Sequence, residues 1–250
     1  MAIPIRKPSE LDALAKANHL VAQTLQLVRE NIQPGITPLE LDKIAEDFIL
    51  SHGARPSFKG LYDFPNSVCT SVNDVIIHGI PDNTPLKEGD IIGIDIGVEL
   101  DGWYGDSAIT VGVGTISHED EKLIACAKET LYEAIEAIRT DMRFKELSEI
   151  LEASIIKRGY VPLRGYCGHG IGRKPHEEPS ILNYVEGKSN QGPKIKEGMV
   201  FCIEPMICQK EGESRVLEDH WAVVSVDGLR GSHYEHTVAI RDGKAVILSQ

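Results

Sequence analysis

The stretch IIGIDIGVELDGWYGDSAIT (residues 91–110) contains two β-branched runs joined by Asp101-Gly102, a dipeptide typical of tight hairpin turns. Each run carries one aspartate, and Asp95 and Asp106 are eleven positions apart. Side chains alternate between the faces of a strand, so any even loop length places both carboxylates on one face. Their Cα atoms would then lie about 5–8 Å apart, whereas an odd loop length would separate them. The stretch predicts a hairpin with two neighbouring acids.

Two ionised carboxylates this close repel each other, so one must take up a proton or a cation must lie between them. Further candidates for the same cluster are Glu204, Glu235 and the histidines of GHGIGRKPHEEP, His169 and His176. Isolated burial of each acid costs several kcal/mol, which two divalent ions would offset. Four carboxylates and an imidazole suit Mn, Fe, Co or Zn. Two neighbouring metal ions support hydrolysis by a hydroxide that bridges them, and we prefer this chemistry to a proton shared between the acids.

The chain also shows an internal repeat. Residues 39–56 and 144–162 share six identities at a constant offset of 106, from Glu40/Glu146 to Pro56/Pro162. Further on, LKEGDIIGID (86–95) is echoed by IKEGMVFCIE (195–204), which places Asp95 and Glu204 at equivalent points. Chance similarity between two helical patterns is an alternative explanation for the matches in the helices. It explains the match between the two strand segments less well. We predict an α+β fold with the site at a central seam.

Repeats of approximately 37–115 and 143–240 define the two halves of this predicted fold. We expect residues 1–250 to form a single catalytic domain. Helices are expected after the caps Ser9, Thr37 and Ser117, each of which has an acidic residue three positions on.

Composition excludes several classes of protein. The formal net charge of −12 disfavours a primary nucleic-acid-binding role. The five cysteines are odd in number and contain no CxxC pair, which argues against a disulfide framework and a structural zinc site. Apolar runs fall far short of the ~20 residues of a membrane-spanning helix, so we expect a cytoplasmic protein.

Some histidines and cysteines are not needed by this hypothesis. Cys126, Cys202 and Cys208 are expected to have packing roles. The histidines that we expect to be exposed are His19, His52, His118, His220 and His233.

Five ordered blocks between about residue 66 and residue 240 carry a family resemblance: VCTSVNDVIIHGIP, GDIIGIDIGVELDGWYGDSAIT, GHGIGRKPHEEP, FCIEP and YEHTVAI. Together they resemble the type I methionine aminopeptidases of the short bacterial form, which are M24-type metallopeptidases. The resemblance implies the pita-bread (creatinase/aminopeptidase) fold, with a central curved, mainly antiparallel sheet covered by helices. It also implies two divalent metal ions and removal of the initiator methionine from nascent proteins when the second residue is small.

The resemblance also assigns roles to individual residues. The implied metal ligands are Asp95, Asp106, His169, Glu204 and Glu235. Glu204, His78 and His176 are the implied catalytic residues, and both histidines contact the substrate. Cys69, Phe64 and Trp221 are the implied lining of the methionine pocket. Leu61 and Pro175 depart from the family pattern beside this pocket, which bears on specificity and rate.

The implied partners are nascent polypeptide N-termini, and the ribosome is a second candidate. We expect neither membrane nor DNA binding, and we expect a monomer. Two other functions remain open from the sequence. One is a related pita-bread peptidase that cleaves Xaa-Pro bonds, which usually has an additional N-terminal domain. The other is a non-catalytic relative that uses the fold as a binding module, in which we would expect broken ligands.

Overall fold

Helices and strands follow each other in two similar rounds along the chain. The computed structural model describes residues 2–188 and 190–250. The helices are α1 (Pro8–Asn31), α2 (Pro38–Ser51), α3 (His118–Ala137) and α4 (Phe144–Lys157), with a 3-10 turn at Leu61–Asp63. The strands of the first round are β1 (Arg55–Pro56), β2 (Cys69–Val72), β3 (Val75–Ile77), β4 (Ile91–Leu100) and β5 (Trp103–Gly112). The strands of the second round are β6 (Val161–Pro162), β7 (Cys167–Gly170), β8 (Glu177–Leu182), β9 (Val200–Ile203), β10 (Met206–Cys208), β11 (Ser214–Val216), β12 (Val223–Ser225), β13 (Gly231–His233), β14 (His236–Arg241) and β15 (Lys244–Ile247).

Two of the three predicted helix caps are confirmed. Thr37 and Ser117 each accept a hydrogen bond from the backbone N–H three residues on. The prediction for Ser9 is wrong, because α1 begins at Pro8 with Lys7 at the cap position. Proline is favoured at the first helical position, where its fixed φ suits the helix and its missing N–H is not needed.

All strand pairs among the described residues are antiparallel, and they form four sheets. The first sheet contains β1, β4, β2 and β5, and the largest has the order β15-β14-β9-β7-β8. These two sheets meet at Ala108 and Glu235, where the Glu235 N–H donates to the Ala108 carbonyl (2.8 Å) and the Ala108 N–H donates to the Glu235 carbonyl (3.4 Å). We call this backbone pair the seam.

Each of the two sheets is covered by its own helices. Apolar residues of α1 and α2, including Val21 and Leu41, pack with Ile94 of β4 in one core cluster. Residues of α3 and α4, including Leu147, pack with Phe201 of β9 in a second cluster. The helices therefore cover the face of the hairpin that carries Ile94, and the opposite face, which carries Asp95, is not covered by them.

Helix α1 lies close against β5 because Gly105 has no side chain. A Cβ atom at Gly105 would lie only 2.9 Å from the backbone nitrogen of Asn18. At this contact Asn18 Oδ1 accepts a hydrogen bond from the Asp106 N–H at 3.3 Å. The helix thereby fixes the backbone of one of the candidate acids.

The repeat has a local counterpart in the helices. Helices α2 and α4 each span 14 residues and are followed by a glycine at positive φ, Gly53 (72°) and Gly159 (86°). The assignment of residues 1–250 to one domain of two repeats stays a prediction. No helix within the described residues is long and apolar enough to cross a membrane.

Candidate functional site

One cavity of about 520 Å³ collects the candidate site residues. All ten of them line it: Phe64, Cys69, His78, Asp95, Asp106, His169, His176, Glu204, Trp221 and Glu235. The cavity therefore brings together the acids, the imidazoles and the apolar side chains that the sequence placed in separate blocks.

The first two acids lie on the predicted hairpin, which has the shorter of the two loop lengths considered. Leu100 pairs with Trp103, so the turn contains only Asp101 and Gly102, at φ values of 53° and 75°. Positive φ at both central residues is the requirement of a type I′ turn. Gly97 consequently pairs with Asp106 and Asp95 with Ala108, so the two aspartates are diagonal neighbours on one face.

The other two acids come from strands that are distant in sequence. Glu204 directly follows β9 and Glu235 directly precedes β14, and these strands pair through His236 and Ile203. Glu235 is held further by the seam and by Ser107, whose hydroxyl donates to the Glu235 carbonyl at 2.6 Å. Carboxylate oxygens of Asp95, Asp106 and Glu235 all lie within 4.8 Å of one another.

His169 brings an imidazole to the same acids from β7. Its Nε2 lies 3.5 Å from Glu204 Oε1 and 4.0 Å from Asp106 Oδ2. Its Nδ1 lies 3.0 Å from the Gly170 carbonyl, which accepts a hydrogen bond from it. A proton on Nδ1 leaves the Nε2 lone pair facing the acids, as a metal-binding imidazole requires.

Burial dominates the electrostatics of the cluster. It raises the pKa of Asp95 to about 7, although a hydrogen bond with Asp106 acts in the opposite direction. Burial and then the charges of neighbouring acids raise the pKa values of Asp106, Glu204 and Glu235 well above their ordinary value. Burial lowers the pKa of His169 to about 3. Cations at the cluster would oppose the shifts of the acids and reinforce the shift of His169, because they favour carboxylate and neutral imidazole.

The unpaired atoms of the cluster fit this interpretation. Oδ1 of Asp95, Oδ1 of Asp106 and Oε1 of Glu235 are buried and have no hydrogen-bond partner among the described residues. Buried polar oxygens without partners are rare in folded proteins. Several of them directed at one place, beside an imidazole nitrogen, form a donor set that suits divalent cations.

Cys202 lies within the same reach as His169 and Glu235. Its Sγ is, however, 3.3 Å from Thr237 Oγ1 in a buried hydrogen bond, and burial raises the pKa of the thiol well above its ordinary value. A protonated thiol is a poor metal ligand, because the thiolate is the binding form. We therefore retain the predicted packing role for Cys202.

His78 and His176 flank the acid cluster. His78 has a left-handed backbone (φ 59°), and its ring contacts Tyr166 edge to face at 5.7 Å. Burial lowers the pKa of His78 to about 4, so it is neutral near pH 7. The ring of His176 lies 4.5 Å from that of His169 and parallel to the exposed ring of Tyr62. Both histidines therefore line the cavity beside the acids.

An apolar pocket adjoins the acids. Phe64 and Trp221 contact edge to face at 5.0 Å, and Cys69 pairs with Asp95 across β2 and β4. Phe58, which the sequence did not single out, is buried in the same cluster. Leu61, one of the two departures from the family pattern, also packs there and lines the cavity.

Comparison with known proteins gives concordant results. The model of metallopeptidase family M24 matches residues 12–242. The chain is 64% identical to a methionine aminopeptidase of Helicobacter pylori strain J99, over the full length of both. Its structure superimposes on that of a Rickettsia prowazekii methionine aminopeptidase with a TM-score of 0.97 at 34% identity, covering all of both chains.

The chain belongs to metallopeptidase family M24. Within that family its resemblance to the methionine aminopeptidases is confirmed by these relatives. The expected pita-bread fold and the expected class of activity, a metal-dependent aminopeptidase, are confirmed with it.

An M24 relative of the alternative specificity is also similar in fold. A Pyrococcus furiosus prolidase matches with a TM-score of 0.80 at 25% identity, and the match covers 98% of this chain but 65% of the prolidase. The methionine aminopeptidase relatives match more closely and over their full length. These differences favour the methionine-specific function over the Xaa-Pro alternative.

The sequence analysis missed one residue beside the acid cluster. His233 was expected to be exposed, and this prediction is wrong: the residue is 4% exposed, and its Nε2 lies 3.7 Å from Glu204 Oε2. It precedes Glu235 by only two positions, and this closeness in sequence was the available signal.

Proposed function

We propose that this chain removes the N-terminal methionine from nascent proteins whose second residue is small, by hydrolysis that depends on two divalent metal ions. The observation that carries the proposal is the single cavity in which four acids and His169 lie beside an apolar pocket. The acids suit cations and the pocket suits a thioether side chain.

The apolar pocket would bind the methionine side chain. Phe58, Phe64 and Trp221 provide aromatic surface, and Cys69 provides a small polarizable contact. Since Cys69 pairs with Asp95, a side chain in the pocket brings the free α-amine of its residue to the acid cluster. This arrangement favours cleavage after the first residue of a chain, which is exopeptidase activity.

The four acids and His169 would hold the ions, since all five line one cavity and oxygens of Asp95, Asp106 and Glu235 lie within 4.8 Å of one another. Ions bound there would supply Lewis acidity and a water of lowered pKa as the nucleophile. Glu204 would take the proton of this water. His176 would donate a hydrogen bond to the carbonyl oxygen as negative charge develops, and His78 would hydrogen-bond the scissile amide.

The test is metal depletion followed by restoration. The chelated protein is reloaded with Mn, Fe, Co or Zn separately, and free amino acid released from Met-Ala-Ser is measured beside Ala-Ala-Ser and Leu-Ala-Ser. We expect release only after reloading, with Met-Ala-Ser preferred by about 10-fold or more, because a pocket discriminates side chains by about 1–3 kcal/mol. A Met-Pro or Ala-Pro peptide tests the Xaa-Pro alternative.

Equal release from the three tripeptides would refute methionine specificity and leave a general aminopeptidase. Activity that survives complete metal removal would refute the metal-dependent reaction. No release from any peptide, with metal bound, would support the non-catalytic alternative.

We also propose that the protein acts in the cytoplasm as a monomer, on nascent N-termini, with the ribosome as a candidate docking partner. The charge of −12 argues that any docking would use protein surfaces rather than ribosomal RNA. Sedimentation with ribosomes tests this: the absence of co-sedimentation at low salt would contradict docking.

A further inference from the structure

The buried imidazole of His233 lies against one carboxylate oxygen of Glu204. Its Nε2 is 3.7 Å from Glu204 Oε2 and has no hydrogen-bond partner within the described residues. The other oxygen, Oε1, lies 3.5 Å from His169 Nε2. Each oxygen of Glu204 therefore faces a different imidazole.

The backbone of His233 is fixed from both halves of the molecule. On one side it pairs with Met206 of β10, two residues after Glu204. On the other side the His233 N–H donates to Thr110 Oγ1 at 2.9 Å, and the Thr110 hydroxyl donates to the His233 carbonyl at 2.8 Å. The imidazole thus projects from a rigid position, as a group that orients a second side chain must.

Among the described residues, the side-chain hydrogen bond to Glu204 reaches its backbone: the Asn183 side chain donates to the Glu204 carbonyl at 2.8 Å. This bond does not fix the orientation of the carboxylate. If the Glu204 carboxylate rotated freely, its two oxygens would exchange places between the acid cluster and the side of His233. A hydrogen-bond donor on the side of His233 would prevent this rotation.

We propose that His233 is a positioning residue that donates its Nε2–H to Glu204 Oε2 and so keeps Oε1 directed at the acid cluster and His169. The inference rests on the proposed function, since it assigns a task within the same reaction. The present separation exceeds a hydrogen bond by a few tenths of an ångström, and catalytic hydrogen bonds commonly shorten when substrate binds. His233 acts through Glu204 and needs no contact with the substrate.

The test compares three substitutions of His233. Gln has an amide N–H at about the reach of imidazole Nε2, Asn has the same amide one methylene shorter, and Leu has comparable bulk without a donor. We expect His233→Leu and His233→Asn to lower kcat about 10- to 100-fold, the usual range for groups that orient a metal ligand, with KM within about twofold of the wild type. His233→Gln is expected to restore kcat to within about threefold.

Two readouts do not depend on activity. Metal content per chain is expected to be unchanged in all three variants. A crystal structure of His233→Leu is expected to show the Glu204 carboxylate in more than one rotamer, whereas His233→Gln keeps one. The exposed His118 supplies a control, His118→Leu, with wild-type behaviour in every assay.

Full activity of the Leu and Asn variants would overturn the proposal. So would a Gln variant as slow as Leu, which would indicate packing, or a loss of metal in the Leu variant, which would indicate metal binding. If Leu fails to fold, the Gln and Asn pair decides. A wild-type protein that releases no methionine would refute the proposed function instead, and the Glu204 rotamers would still report on His233.

Discussion

The two halves deliver their acids to the same cavity in different ways. Asp95 and Asp106 lie on consecutive strands of one hairpin with a two-residue turn. Glu204 and Glu235 are 31 positions apart, at the ends of β9 and β14, and strands β10 to β13 lie between them in sequence. The first pair is fixed by local geometry, whereas the second pair depends on tertiary pairing and on the seam.

The halves also differ in the neighbours of their acids. Both oxygens of Glu204 lie near imidazoles, His169 and His233. The hairpin acids have one such neighbour, His169 at 4.0 Å from Asp106.

Neutralising one shared acid from each half tests whether they contribute equally. We expect Asp106→Asn and Glu235→Gln each to lower kcat/KM on the order of a thousandfold, equivalent to about 4 kcal/mol, because each removes a charge that holds the ions. Elemental analysis of the purified variants is expected to show less metal per chain.

The control for these variants is Asp101→Asn in the hairpin turn, where the exposed residue has a left-handed backbone that asparagine tolerates. It is expected to keep metal and activity. If Glu235→Gln alone retained both, the second half would not share in binding the ions.

Close backbone contacts at one glycine of each half, Gly105 and Gly168, allow the packing of the two halves to be compared. A Cβ at Gly105 would lie 2.9 Å from Asn18 N, and a Cβ at Gly168 would lie 2.4 Å from the Cys202 carbonyl oxygen. Overpacking against backbone costs about 1–3 kcal/mol, so both alanine variants are expected to lose stability in urea unfolding, Gly168→Ala more.

Gly93→Ala on β4 is the matched control, since its Cβ would lie at an ordinary 3.4 Å from Ser71 Cβ. We expect a change of less than about 1 kcal/mol there. Equal stability of all three variants would show that these close approaches do not constrain the packing of α1 on β5 or of β7 on β9.

Asp95 should stabilise the metal-free protein more at pH 6 than at pH 8, whereas buried histidines such as His169 and His233, whose pKa values are lowered, act in the opposite direction. The folded pKa of Asp95 is raised from 3.8 to about 7, so the folded state binds more protons than the unfolded state and stability falls as pH rises. Asp95 alone contributes about 1.4 kcal/mol over this range, or about 3–5 °C in Tm for a chain of this length. Thermal unfolding in chelator measures the shift.

Saturating Mn should remove or reverse this trend, because protons and cations then compete for the same oxygens. The difference in metal-free Tm between the wild type and Asp95→Asn isolates the contribution of Asp95. A difference that stays the same from pH 6 to pH 8 would contradict the raised pKa of Asp95.

The hairpin could be predicted from sequence because its information is local. Asp101-Gly102 indicates an even loop, and strand alternation then places Asp95 and Asp106 on one face without any tertiary knowledge. Pairing these acids with Glu204 and Glu235 needed the internal repeat and the family resemblance. Neither periodicity nor composition reports the contact at the seam.

What the sequence could not provide was the packing of isolated residues. Phe58 lies outside the recognised blocks, and only the fold brings it to the pocket. His233 ends a three-residue strand, too short for its alternation to distinguish a buried face from an exposed one. Ser9 competes with Pro8 for the start of α1, and the ring geometry of proline prevails.

The seam also limits how this molecule can move. Ala108 and Glu235 are joined by main-chain hydrogen bonds between the two sheets. A hinge motion that separated the sheets would break these bonds and move Glu235 away from the other acids. The part of the cavity formed by the acids and the seam is therefore expected to keep the same shape while substrate binds and product leaves. Adjustment during substrate binding is left to the rim of the cavity, where the ring of Tyr62 is exposed to solvent.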